Sequence, residues 1–531
     1  MDSNLVITLF SFLLFTGGVA FFTWYNLRRT NLNSSTGYFL GGRSLTGVVI
    51  AGSMLLTNIS SEHLIGMNGN SYVNGFIVIA WEVTSSIALV IAAVIFVPKY
   101  LKMGLTTIPQ FLENRFDGTT RTLVALILIL SMVVTLLPIV LYSGAIGIES
   151  LFGISDVLGV TKTRGLWITV VAIGAIGSVY AIFGGLKAVA YSDTINGLGL
   201  LVGGMLIPVF ALWAIGDSNI VEGLVRVYEF APEKFNVIGA ADSVMPFEVL
   251  FTGLIINQLY FWGMNQTIIQ RALGAKNLKE AQKGLLLTGL FKILIPLVII
   301  LPGVICYYYF QDSFFDNQDA VYPELVKRVL PVWMIGFFAA VIMGAVLSTF
   351  NSVLNSIATL FSVGIYKRHI NKNAGDSSLV RVGKVTSAVL AIAAIFTAPL
   401  VANASDGLYQ LLQQLNGIFF IPIASILLAG FFMKKVSATG AKAALFCGLL
   451  FYIFMSWGYT SHGIHFVHLW GIEFIGNIVI MYVVSEFYPR RNPYQITDVG
   501  AVDLKGWKYT RPMSIALCAA TVLIYILLGD L

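Results

Sequence analysis

Within seven residues, Thr57, Asn58, Ser60, Ser61, Glu62 and His63 interrupt an otherwise apolar run, AGSMLLTNISSEHLIGM (51–67), and no proline accounts for the break. Three more ionisable side chains stand in apolar surroundings: Glu82 in IAWEVTSS, Asp193 in AYSDTIN and Lys292 in LFKILIP. A charge at the middle of a membrane helix costs about 2.5–3.5 kcal/mol even on lenient scales, so such residues are expected to be paired or functional. A carboxylate accepts hydrogen bonds and an ammonium donates them, so Glu82 and Lys292 together suit a polyhydroxylated molecule. A buried structural ion pair, or a side chain reaching to the interface, is the plainer reading of each.

Ala345, Ser348 and Thr349, in GAVLSTFNS, lie at i, i+3 and i+4 and share one helical face. Two hydroxyls and a carbonyl there, set against carbonyls freed at a helix break, make a hard-oxygen site suited to an alkali cation. Ser/Thr packing between helices is the alternative. Tyr409 and Gln413, in DGLYQLLQQLNG (406–417), also share a face, a ring to cover a C–H surface beside an amide for hydroxyls. His462, His465 and His468 have an H-x-x-H-x-x-H spacing, but no nearby cysteine or embedded carboxylate completes a metal site. A membrane metalloenzyme built on those histidines is the alternative from another functional class. The sequence has no phosphate-binding loop, dinucleotide fingerprint or nucleophile elbow.

The elements holding these residues are membrane helices. The 531 residues are 57% hydrophobic and 11% charged, with a mean hydropathy of +0.84, which points to a polytopic membrane protein. Fourteen apolar segments of spanning length are expected, at about 4–26, 45–72, 74–98, 122–147, 165–183, 190–216, 246–268, 284–310, 332–364, 379–402, 407–432, 440–459, 465–487 and 512–529. The N-terminus lacks a basic start and a cleavage site, so its apolar run reads as a retained helix. Alternate loops carry most of the basic residues, among them Arg28, Arg29, Arg115, Arg121, Arg271, Lys276, Arg368 and Arg490. Placed inside, they put both termini outside the cell membrane. The net charge of +6 is thereby explained by topology, and no basic stripe fits nucleic acid. The three cysteines lie far apart in apolar runs and read as core residues. Interruptions at 51–67 and at 253–266 (GLIINQLYFWGMNQ) suggest the paired broken helices of an inverted-repeat transporter. Between them, Gly184 and Gly185 permit a tight turn ahead of Asp193.

Seven blocks in order, YFLGGRSL (38–45), NISSEHLIGM (58–67), TIPQFLENRF (107–116), GGLKAVAYSDTIN (184–196), FWGMNQTIIQRALGAK (261–276), KILIPLVIILPG (292–303) and LSTFNSVLNS (347–356), resemble the solute:sodium symporters, closest to their sodium/sugar branch. The resemblance implies an all-α, LeuT-like core of two inverted five-helix repeats, at 45–216 and 246–432. An extra helix and loop occupy 1–44, and further helices 433–531. It implies a sodium-coupled symporter that takes up a sugar by alternating access, with no organic cofactor. A sodium- or proton-coupled carrier of a polyol or organic acid is the alternative within transport. Sodium is expected on the backbone carbonyls of Leu56, Ile59 and Ala345 and the hydroxyls of Ser348 and Thr349, and Asp193 matches a residue of sodium passage or of a further sodium site. Sugar contacts match Asn58, His63, Glu82, Gln258, Lys292 and Gln413, and gate positions match Met67, Trp81, Phe261 and Tyr409. Arg271 matches a basic residue on the cytoplasmic side. The chain departs from the branch at His63, usually glutamine, at Gln258, usually asparagine, and at Phe261, usually tyrosine. Trp81 is bulkier than the familiar aromatic.

Overall fold

The computed structural model describes residues 3–28, 32–311, 315, 317–403, 408–490 and 494–529. Arg29 and Arg491 of the basic loops, and Asp406 and Gly407 of the 406–417 stretch, lie outside them. Among the described residues the regular structure is helical, and strand-like pairing is limited to one bridge, Leu45 to Ala275.

In chain order the helices that build the bundle and carry the site are α1 (Ser3–Leu27), α2 (Gly47–Asn58), α3 (62–74), α4 (80–102), α5 (Ile108–Arg115), α6 (Gly118–Phe152), α7 (Lys162–Ile215), α8 (Gly253–Gly263) and α9 (Gln266–Leu273), with shorter helices such as Ile220–Phe230 and Val321–Val329 between them. There follow α10 (Leu278–Leu294), α11 (Pro296–Tyr309), α12 (Val332–Ile370), α13 (Asp376–Val401), α14 (Leu408–Phe432), α15 (Ala438–Gly458), α16 (Phe466–Phe487) and α17 (Thr510–Leu528). Among the described residues ten helices are long and apolar enough to cross a membrane, or eleven with the bent pair α10–α11. Two of the fourteen expected segments, both expected to be interrupted, are left out of that number because each is broken. The segment 45–72 is cut at Ile59, leaving α2 with 12 residues, and 246–268 is cut at Met264, leaving α8 with 11. Neither piece alone has the ~20 residues that spanning needs.

The breaks are local in cause. Ile59 is extended (φ −87°, ψ 99°), and the ladder resumes only when His63 and Leu64 donate to the carbonyl of Ser60. In α7, Gly185 at φ +59° divides a 54-residue run into two stretches. A side chain is disfavoured there by the backbone, and a Cβ would stand 2.7 Å from the Tyr38 carbonyl oxygen. Asp193 lies eight residues beyond, two turns into the second stretch.

The centre is built by α2 packed against α7 and α10, with α12 laid along α7 and α1. α14, α15 and α16 pack on one another at the flank, and α8 joins them through α14 and α16. Apolar side chains also cover the outside: Phe10, Phe396 and Leu450 are each at least 67% exposed, as a lipid-facing surface requires.

Candidate functional site

The break after α2 releases polar groups into the middle of the bundle. A cavity is lined there by Asn58, His63, Glu82, Gln258 and Gln413. Its apolar wall is aromatic: Trp81, Phe261, Trp262, Tyr409 and Phe420.

Lys292 does not line this cavity. It stands behind the wall, where its ammonium donates to Asn58 Oδ1 at 2.6 Å and pairs with Glu82. Lys292 thus neutralises Glu82 and leaves the other carboxylate oxygen to face the cavity, 3.9 Å from His63 Nε2. The opposite ring nitrogen of His63 lies 3.4 Å from Glu62 Oε1. His63 therefore sits between two acids, edge-on to Tyr409 at 5.2 Å between ring centroids. Gln413 donates to the Tyr409 hydroxyl at 2.8 Å, which leaves the phenol proton available to another acceptor. Gln258 is engaged by protein on both ends of its amide: it donates to the Trp81 carbonyl at 2.8 Å and accepts from Ser85 and Trp262.

One end of the cavity is shut by backbone contact. Tyr409 lies over Gly66, where an added Cβ would come 3.1 Å from the Tyr409 nitrogen. One turn on, a Cβ at Gly69 would stand 2.6 Å from the carbonyl oxygen of Gln318. Asp319 accepts from the first described amide of α14, that of Leu408, at 3.3 Å. Met67 is fully buried in α3 and takes no part in lining the cavity.

At the other side of the break, α12 meets α2. The Thr349 hydroxyl donates to the Thr57 carbonyl at 3.0 Å and lies 3.5 Å from that of Leu56. Ala345 is buried one turn earlier on α12, and the buried Ser348 hydroxyl has no hydrogen-bond partner of good geometry. Asp193, wholly buried, accepts from Ser53 at 2.6 Å; Ser348 and Thr57 stand beside it, and its second oxygen has no hydrogen bond of good geometry. Arg271 corrects the loop assignment: it is wholly buried, 3.9 Å from Asp193 and donating to Ser53 at 3.1 Å. Its remaining donors go to Ser352 and the Thr267 carbonyl, so this cation belongs to the bundle's interior and carries no weight in the loop count.

The histidines do not assemble. His462 bonds Met455, His465 bonds Val244 and His468 bonds Thr252, and no group of three metal-binding side chains occurs among the described residues. Burial pushes His465 down to about 4, which keeps it neutral. Sequence reasoning missed Asn257, Trp262 and Asn416 on the cavity wall. It also missed Glu473, an ionisable residue inside an expected span, which the intramembrane-charge rule would have found.

A family model described as the sodium:solute symporter family matches residues 38–448. The chain belongs to the sodium:solute symporter family. An uncharacterized symporter, YidK, of Escherichia coli (strain K12) is 44% identical over 97% of this chain and 90% of its own. The sodium/glucose cotransporter of Vibrio parahaemolyticus is 32% identical over 81% of each. The human sodium/myo-inositol cotransporter is 28% identical, and the match spans 62% of its length. In solved structures, a sodium-coupled sialic acid symporter in a substrate-bound, outward-open state matches 92% of this chain and 99% of its own, with a TM-score of 0.77 at 19% identity. That likeness establishes the fold, an all-helical LeuT-like bundle. As a member of the family the chain is a multi-pass membrane transporter that couples solute movement to sodium, and not an enzyme.

Proposed function

We propose that this symporter carries a neutral sugar or cyclic polyol inward with sodium, in the cavity bounded by Asn58, His63, Glu82, Gln258 and Gln413. The observation that carries this reading is the Glu82 carboxylate, held by Lys292 from behind and open to the cavity in front. A neutralised acid among amides and rings is matched by hydroxyls and C–H faces; a carboxylate solute would meet Glu62 and Glu82 unfavourably. Lys292 acts on the solute through Glu82 and Asn58. Tyr409 and Trp81 close one end, Phe261 lines the other wall, and Met67 supports α3 from behind. Relatives named for glucose and myo-inositol favour a polyhydroxylated ring.

Sodium fits the junction of α2 and α12. The carbonyls of Leu56, Ile59 and Ala345 and the hydroxyls of Ser348 and Thr349 form a hard-oxygen donor set, and Ser348 Oγ is a buried oxygen near Asp193 without a hydrogen bond of good geometry. Asp193, whose second oxygen also lacks a hydrogen bond of good geometry, serves sodium on its way to the cytoplasm. Both termini lie outside, and two inverted repeats occupy 45–216 and 246–432. Uptake of radiolabelled hexoses and inositols into proteoliposomes, under a sodium or a potassium gradient, tests the reading. Accumulation of one such ring with sodium alone supports it; accumulation only of organic acids overturns it.

A further inference from the structure

Outside the cavity, α16 turns a polar stripe inward. Trp470, Glu473 and Asn477, at i, i+3 and i+7, face the groove between α14 and α15. Two glycines make the room. A Cβ on Gly417 of α14 would lie 2.1 Å from Trp470 Nε1 and 2.7 Å from the Tyr452 hydroxyl. On Gly448 of α15 it would lie 2.8 Å from Glu473 Oε1 and 2.6 Å from the Asn477 amide nitrogen.

Glu473 is 2% exposed, and among the described residues its carboxylate has the neutral Asn477 amide as polar neighbour and no hydrogen bond of good geometry. Trp470 Nε1, which can only donate, is buried beside the Tyr452 hydroxyl and makes no hydrogen bond of good geometry. No lysine, arginine or histidine forms an ion pair with Glu473 among the described residues. On α15 the titratable neighbour is Tyr452, whose hydroxyl donates to the Gln414 carbonyl at 3.1 Å. α14 presents the neutral Gln414 and Ser425, the latter 3.3 Å from the Asn477 amide nitrogen. α8, the third helix packed on α16, holds no titratable side chain but Tyr260. On α16 itself the nearest is His468, already bonded to Thr252.

An ionised carboxylate without a countercharge is not sustained in such a site; it takes up a proton instead. We infer that Glu473 is a proton-binding site: a neutral carboxylic acid built into the flanking helices, separate from the sodium and solute positions. The donor and acceptors left without a hydrogen bond of good geometry suit an ordered water bridging Trp470 to the acid. The site is one turn from Trp470, whose ring meets Trp81 on the cavity wall at 6.2 Å between centroids. The inference is independent of which solute the cavity takes.

Infrared spectra of the full chain in lipid, wild type against Glu473→Gln, test it. The variant keeps the shape of the neutral acid. A carboxylic-acid carbonyl band, shifted by deuterium oxide, should be present in the wild type and lost in the variant. An unchanged band overturns the proposal. If the variant does not fold, the unaltered chain is treated with dicyclohexylcarbodiimide, which attacks protonated carboxyls in apolar surroundings, and the α16 peptide is weighed. An adduct on Glu473 supports the proton site; its absence overturns it.

Discussion

Lys292 Nζ stands 2.6 Å from Asn58 Oδ1 while holding Glu82 by an ion pair, so one ammonium on α10 fastens the end of broken helix α2 to the acid on α4. The pair is wholly buried, and the geometry of the solute cavity depends on it.

Lys292→Ala is accordingly expected to destabilise the protein by roughly 3–5 kcal/mol, because Glu82 is left as an uncompensated buried charge. The double variant Glu82→Gln/Lys292→Met should recover most of that loss but not solute uptake. Fluorescence-detected thermal unfolding and uptake, measured side by side, check both halves. A stable, active Lys292→Ala chain would contradict the arrangement.

Ser348→Ala/Thr349→Ala should fold and insert while losing its response to sodium. For the wild type, sodium at 100 times its dissociation constant adds about 2.7 kcal/mol of stability. The variant should melt alike in sodium and in potassium. Sodium stabilisation that survives both substitutions would move the ion elsewhere.

Sodium and solute sites share the break at 56–59, so each should tighten the other's binding by the same factor, with a coupling of about 1–3 kcal/mol. Titrations of solute at fixed pH, with and without sodium, give one side of the cycle, and sodium titrations with and without solute give the other. Uptake driven by external acid in the absence of sodium is the outcome that would falsify sodium coupling here.

Glu113 on α5 is gripped by Arg121 and Arg368, which joins α6 to the end of α12. Burial pushes its carboxyl up, but the hydrogen bonds from Arg368 and Arg121 prevail and hold it below the ordinary 4.5. A folded-state value depressed in this way contributes stability above the ordinary carboxylate range, and that stability fades as pH falls through the lower folded value. Melting temperatures between neutral and acid pH should drop more steeply for the wild type than for Glu113→Gln, and the two curves should converge at the acid end.

Much of the site was legible because membranes make polar residues conspicuous. The break at 58–63 and the lone Glu82 stood out against apolar neighbours, and Tyr409 with Gln413 followed from helical spacing. What spacing does not carry is depth. Lys292 reads like a cavity residue but lies behind the wall, and Arg271 reads like a loop cation but lies against Asp193, because both positions are set by contacts between segments far apart in the chain.

Gly66 and Gly69 place the backbone of α3 directly on that of α14 and on Gln318. A methyl group at position 69 would be a doorstop, since the 2.6 Å gap to a carbonyl oxygen leaves it no room. A carrier whose door stays ajar stops counting its passengers: ions run downhill with no cargo aboard. Gly69→Ala is therefore expected to show sodium current across a voltage-clamped bilayer in the absence of solute, where the parent chain shows none.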